Sequence, residues 1–102
     1  MTLFNKIESE GKLVFACGPV GVLANIVGYF KVQKNQHGEY QLDMGDGTNH
    51  VHIDWTRIKR FEISLFHGEG LLTFFGENEP LFRLYRMDGP YSKDIAKMTG
   101  TL

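Results

Sequence analysis

A chain of 102 residues with 42% apolar and 23% charged side chains is one globular domain, residues 1–102, with a single ordinary core and no room for a second. The net charge is −1, and Lys plus Arg stand 4 against 5 Asp plus Glu in residues 1–51 and 7 against 7 in residues 52–102. Neither half therefore has the basic surplus of a nucleic-acid binder. Cys17 has no second cysteine to pair with, which excludes an internal disulfide and fits a reducing cytoplasm.

In chain order, residues 1–10 read either as a short helix with Leu3, Phe4 and Ile7 on one side or as a frayed end, closed by Gly11. No stretch there has the pattern of a signal peptide. Lys12 to Cys17 alternates Leu13, Phe15 and Cys17 against Lys12, Val14 and Ala16, a strand with little polar surface, and Gly18-Pro19 breaks it. The longest low-polarity run, 18–30, is too short and too interrupted to cross a bilayer. Val20 to Val32 holds no helical stripe, and its glycines disfavour a helix by about 1 kcal/mol each. It reads as one strand bent or bulged at Gly28. Lys34 to Gly38 is a polar turn. Tyr40, Leu42 and Met44 form the apolar side of the next strand, and Asp46-Gly47 is a hairpin turn signal.

Asn49 to Phe66, NHVHIDWTRIKRFEISLF, is the most informative stretch. With a period of two, Val51, Ile53 and Trp55 share one face and His50, His52 and Asp54 the other. After a bend at Thr56-Arg57 the split repeats, with Phe61, Ile63 and Leu65 against Arg60, Glu62 and Ser64. Read as two adjacent strands, these runs give one apolar face and one carrying two imidazoles, two carboxylates and a guanidinium.

His67 to Gly70 is a turn, Leu71 to Phe75 an interior strand apolar on both faces, and Gly76 to Pro80 another turn. Leu81 to Met87 sets Phe82 and Leu84 against Arg83 and Tyr85. Asp88-Gly89-Pro90 stops it, and Ser92 is placed to cap a short C-terminal helix burying Ile95 and Met98. The expected class is α+β: a large, mostly antiparallel sheet of about seven strands with a short C-terminal helix.

From Gly11 onward the order of pieces resembles the bacterial haem-utilisation proteins of the ChuX/HutX type, relatives of HemS and ChuS. The pieces are GKLVFAC, NIVGYF, HGEYQLD, a glycine turn into HVHI, IKRFEISLF, TFFGENE and LFRLYR, which together span most of the chain. The resemblance implies a large antiparallel sheet flanked by helices, haem bound inside the cell, and a homodimer. His52 matches the histidine after the glycine turn and is thereby the candidate haem ligand. In an ungapped reading the family's early-strand histidine falls at Gly18, beside Cys17, and the chain lacks the helical N-terminal region of typical members.

Haem iron accepts a neutral imidazole, the macrocycle needs apolar walls, and the propionates need cations. His52 is the ligand candidate, with His50 beside it. Arg60, on the same face by register, or Arg57 at the bend is the propionate partner. A bland alternative stands next to this: His50 and His52 decorate the solvent side of a sheet, paired with Asp54 or Glu62. A divalent metal held by His50, His52 and Asp54 lacks a fourth ligand at a supporting spacing. No nucleophile elbow, phosphate loop or Cys-x-x-Cys marks an enzyme. The competing function is a cofactor-free sheet module that kept the fold and acts through protein contacts.

Overall fold

A computed structural model describes residues 2–18, 21–34, 40–44 and 50–98. The Pro19 break, the predicted turns at 35–38 and Asp46-Gly47, and the faces assigned to Phe4, Tyr40, Met44 and Trp55 lie outside the described residues and side chains. Helix α1 (Thr2–Ile7) runs into a 3-10 turn (Glu8–Glu10). Eight strands follow among the described residues: β1 (Leu13–Cys17), β2 (Ala24–Gly28), β3 (Phe30–Lys34), β4 (Tyr40–Met44), β5 (His50–Ile53), β6 (Arg60–Phe66), β7 (Glu69–Phe75) and β8 (Pro80–Arg86). Helix α2 (Lys93–Ala96) comes last.

The strands form two sheets, not one. A five-stranded sheet has the order β2-β1-β8-β7-β6 and a three-stranded sheet the order β3-β4-β5, with every pairing antiparallel. Two expectations are corrected by this. The predicted single strand from Val20 to Val32 is two strands in different sheets, because the chain turns out of the first at Gly28 and reaches the second at Phe30. Tyr29 at the crossing is 64% exposed, whereas Phe30 is 4% exposed and drops into the core. The pair expected within Asn49–Phe66 is also not a pair. β5 is the edge of the small sheet and β6 an edge of the large one. A 3-10 turn over Trp55–Arg57 followed by buried Ile58 redirects the chain between them.

On β5 and β6 the alternation holds where the strand covers the core. β5 runs exposed, half-buried, exposed, buried from His50 to Ile53. β6 begins the same way, but Leu65 and Phe66 are exposed because the strand runs past the core. β7 is interior, as its doubly apolar sequence requires. The β6–β7 hairpin pairs Phe66 with Glu69, leaving His67-Gly68 as a two-residue turn. Both have positive φ, 50° and 84°, the geometry whose twist matches the flanking strands.

Across the inner face of the large sheet runs a row of four phenylalanines in strand order. Phe15 stacks on Phe82 at 5.2 Å between centroids, Phe82 on Phe74 at 4.5 Å, and Phe74 meets Phe61 at 6.1 Å. Each such contact adds about 0.5–1.5 kcal/mol beyond the area it buries. Leu3 and Ile7 of α1, four residues apart on one helical face, cover this core together with Ile95 of α2 and with Phe30, Leu42 and Ile53 of the small sheet. The N-terminal segment is therefore a helix with a buried stripe.

The two ends of the chain are tied together by polar contacts. Ser92 stands at the start of α2, but its hydroxyl makes no capping bond; instead its backbone N–H donates to Oε1 of Glu10 at 2.7 Å. Arg86 Nε donates to the Glu10 carbonyl at 2.9 Å. The Tyr91 hydroxyl donates to the Leu84 carbonyl at 2.6 Å, and its ring lies against Gly70, where a Cβ would sit 2.6 Å away. Burial, aided by the nearby Glu10 carboxylate, raises the Tyr91 pKa far above its ordinary 10.0. The neutral phenol is thus favoured by folding, and its contribution is whole below pH 10 and lost as pH rises beyond it. Tyr91→Phe is expected to cost about 1 kcal/mol at neutral pH and to flatten the fall in stability above pH 10. Urea denaturation at pH 7 and at alkaline pH measures both.

Candidate functional site

Among the described residues β5 pairs only with β4, and a cleft of about 420 Å³ runs beside it. Consecutive residues from His50 to Asp54 line one side, as expected of a cleft that meets a strand edge-on. The opposite wall belongs to the large sheet: Phe15 and Cys17 of β1, Ile26 of β2, and Leu81 and Phe82 of β8. Ile58, just after the 3-10 turn, closes one end. The size falls within the range of roughly 300–1,000 Å³ usual for small-molecule sites.

The walls are apolar and the rim is polar. His50 and His52, both exposed, project from the same side of β5 with their rings edge-on at 4.7 Å between centroids. Asp54 Oδ1 accepts hydrogen bonds from the Thr56 hydroxyl at 2.7 Å and the Thr56 N–H at 3.1 Å, while Oδ2 lies 3.7 Å from Arg57 Nε. The Thr56 hydroxyl, then the Thr56 backbone and Arg57, hold the Asp54 carboxyl below the usual carboxylate range. The Arg57 side chain is 80% exposed at the mouth. The carboxylate at 54 thus fixes the 3-10 turn and tethers the guanidinium over the opening.

The structure brings His50, His52 and Arg57 to one cleft and leaves Arg60 outside it. Arg60 pairs with Glu62 at 2.7 Å and lies 3.8 Å over the Phe75 ring, so its place on the imidazole face is corrected together with the β5–β6 pairing. Among the described residues no three of His, Cys, Asp and Glu gather at metal-binding distance. The wall residues Phe15, Ile26, Leu81 and Phe82 were not legible as site residues. Alternation marks their strands as apolar-faced, but nothing local says that β5 lies across that face. A second depression of about 420 Å³, between β6 and α2, is lined by Glu62, Ser64 and apolar side chains and contains no imidazole.

No protein-family model and no curated protein matches the sequence. Solved structures do match. A protein from Erwinia carotovora superposes with a TM-score of 0.66 at 18% identity, over 82% of this chain and 55% of that one. ChuX superposes with a TM-score of 0.65 at 14% identity, over 93% of this chain and 64% of that one. The chain has a ChuX-type fold. It spans just over half of the Erwinia chain and just under two thirds of ChuX.

In this ChuX-type chain Gly18, the residue that the ungapped reading sets against the early-strand histidine, has φ of 146°. A Cβ built there would overlap the Val22 carbonyl oxygen and lie 2.9 Å from its carbon. No side chain fits at 18, and the residue that faces the cleft from this strand end is Cys17. Among the described residues no helix of the chain is long and apolar enough to cross a membrane.

Proposed function

We propose that the cleft along β5 binds haem or a related tetrapyrrole and that the protein handles haem in the cytoplasm. The observation that carries this reading is the pair of imidazoles on β5 against an apolar wall. The residues fit the group in kind: His52 would hold the iron through a ring nitrogen, with His50 adjacent, and Phe15 and Phe82 would face the macrocycle. Arg57 is the cation for a propionate, and its planar fork suits a carboxylate. The iron supplies a coordination bond; the chain's own part is to exclude water from the apolar wall and to orient the two imidazoles. Haemin titrated into the purified protein is expected to give a saturable Soret shift, with His52→Ala weakening binding at least about tenfold. Identical titrations for the two proteins would remove His52 from the site.

The homodimer belongs to the same proposal. The outward side of the large sheet and the segment before β2 expose Val22 at 62%, Leu23 at 67%, Val27 at 45% and Phe66 at 50%. A second copy would cover this apolar strip. The same strip favours the second reading, a cofactor-free module acting through protein contacts. Haemin binding no tighter than to an unrelated protein of similar charge, from a chain that still self-associates, would select that reading.

A further inference from the structure

We propose that Asp54 is a specificity-determining residue of the cleft: it occupies the Arg57 guanidinium and so weakens the hold of the cleft on an anionic ligand while leaving a neutral one unaffected. This rests on the reading that the cleft takes an apolar, carboxylate-bearing guest. Beyond its imidazoles, the cleft lining carries, among the described residues, one full positive charge, Arg57, and one full negative charge, Asp54, so these give the mouth no surplus cation. The two are neighbours at 3.7 Å, with the Arg57 side chain largely in solvent.

Asp54 is held in place independently of the guanidinium. Its Oδ1 is pinned by both the hydroxyl and the N–H of Thr56, so the carboxylate stays at the mouth whether or not Arg57 faces it. Arg57, by contrast, has a long side chain and, among the described residues, Asp54 as its ion partner. A ligand carboxylate therefore gains Arg57 only by drawing it from Asp54, and then lies near the fixed negative charge. A ligand without an acid group meets neither effect. The pair thus discriminates by charge at the mouth while the apolar wall supplies the binding area.

The probes are haemin, its dimethyl ester, which lacks free carboxylates, and the fluorescent sulfonate 1-anilinonaphthalene-8-sulfonate. Each is titrated into wild type, Asp54→Asn, Arg57→Met and the double variant. Asparagine keeps an acceptor for Thr56 and removes the charge. The expected result is that Asp54→Asn binds haemin about two- to fivefold tighter, the size of an exposed ion-pair effect, and leaves the ester unchanged. The gain should vanish in the Arg57→Met background. An equal gain for haemin and its ester, or no gain for haemin, overturns the proposal. If haemin fails to bind wild type, the haem reading falls alone provided the sulfonate still shows an Arg57-dependent gain in Asp54→Asn. If the sulfonate shows none either, both fall.

Discussion

Phe74→Ala is expected to destabilise the protein by about 3–5 kcal/mol, the range for removing a buried phenylalanine. Phe74 is fully buried in the middle of the aromatic row, 4.5 Å from Phe82 and 6.1 Å from Phe61 between centroids. Truncation removes the ring contacts with Phe82 and Phe61 and leaves a cavity bounded by strands on either side, β8 and β6, that cannot close in without breaking their ladders. Domains of this size have stabilities of about 5–15 kcal/mol, so the loss is a large fraction of the whole. The thermal midpoint should fall by more than about 12 °C, since 1 kcal/mol is worth about 4–8 °C here. Calorimetry reads this directly. A drop of only a few degrees would show that the neighbouring rings refill the space.

Gly18→His, which places an imidazole where the resemblance expects one, is expected to destabilise the chain by about 3 kcal/mol or more and to add no haemin affinity. Two costs combine. A non-glycine residue is strained at φ of 146°, and the new Cβ would strike the Val22 carbonyl, which is backbone and cannot rotate aside. The side chain can be accommodated only by remodelling the segment ahead of β2. Melting curves and haemin titrations of Gly18→His beside Gly18→Ala separate the backbone effect from the imidazole. A variant that melts like wild type and binds haemin more tightly would mean that the segment rearranges readily and that the early-strand histidine has a place here after all.

The strands were legible because their side chains alternate. Phe15 and Cys17, Val51 and Ile53, and Phe82 and Leu84 sit on apolar faces that local spacing alone assigns. Sheet membership was not legible. Nothing in IVGYF distinguishes a bulge within one strand from a crossing between two sheets. The difference lies in whether Phe30 finds core beside β2 or beside β4, which is a tertiary outcome. The same gap explains Arg60. Its face on β6 was read correctly against Phe61, but sharing a face with His52 required β5 and β6 to be neighbours, and the turn over Trp55–Arg57 sends them to different sheets. His50, His52 and Arg57 lie close in sequence, so their convergence on the cleft depended on one strand and one turn. The apolar wall came from three distant strands and could not be found this way.

No ladder hydrogen bond joins the two sheets among the described residues; the chain passes between them at Tyr29 and again through 54–59, and apolar side chains fill the space between. Separating the two sheets would therefore sever no backbone pairing, but it would cost dispersion contacts steeply, since a gap of about 0.5–1 Å already forfeits a quarter to a half of each. Apart from those crossings, the two sheets are thus held together by side-chain packing among the described residues, and the cleft beside β5 depends on that packing for its shape.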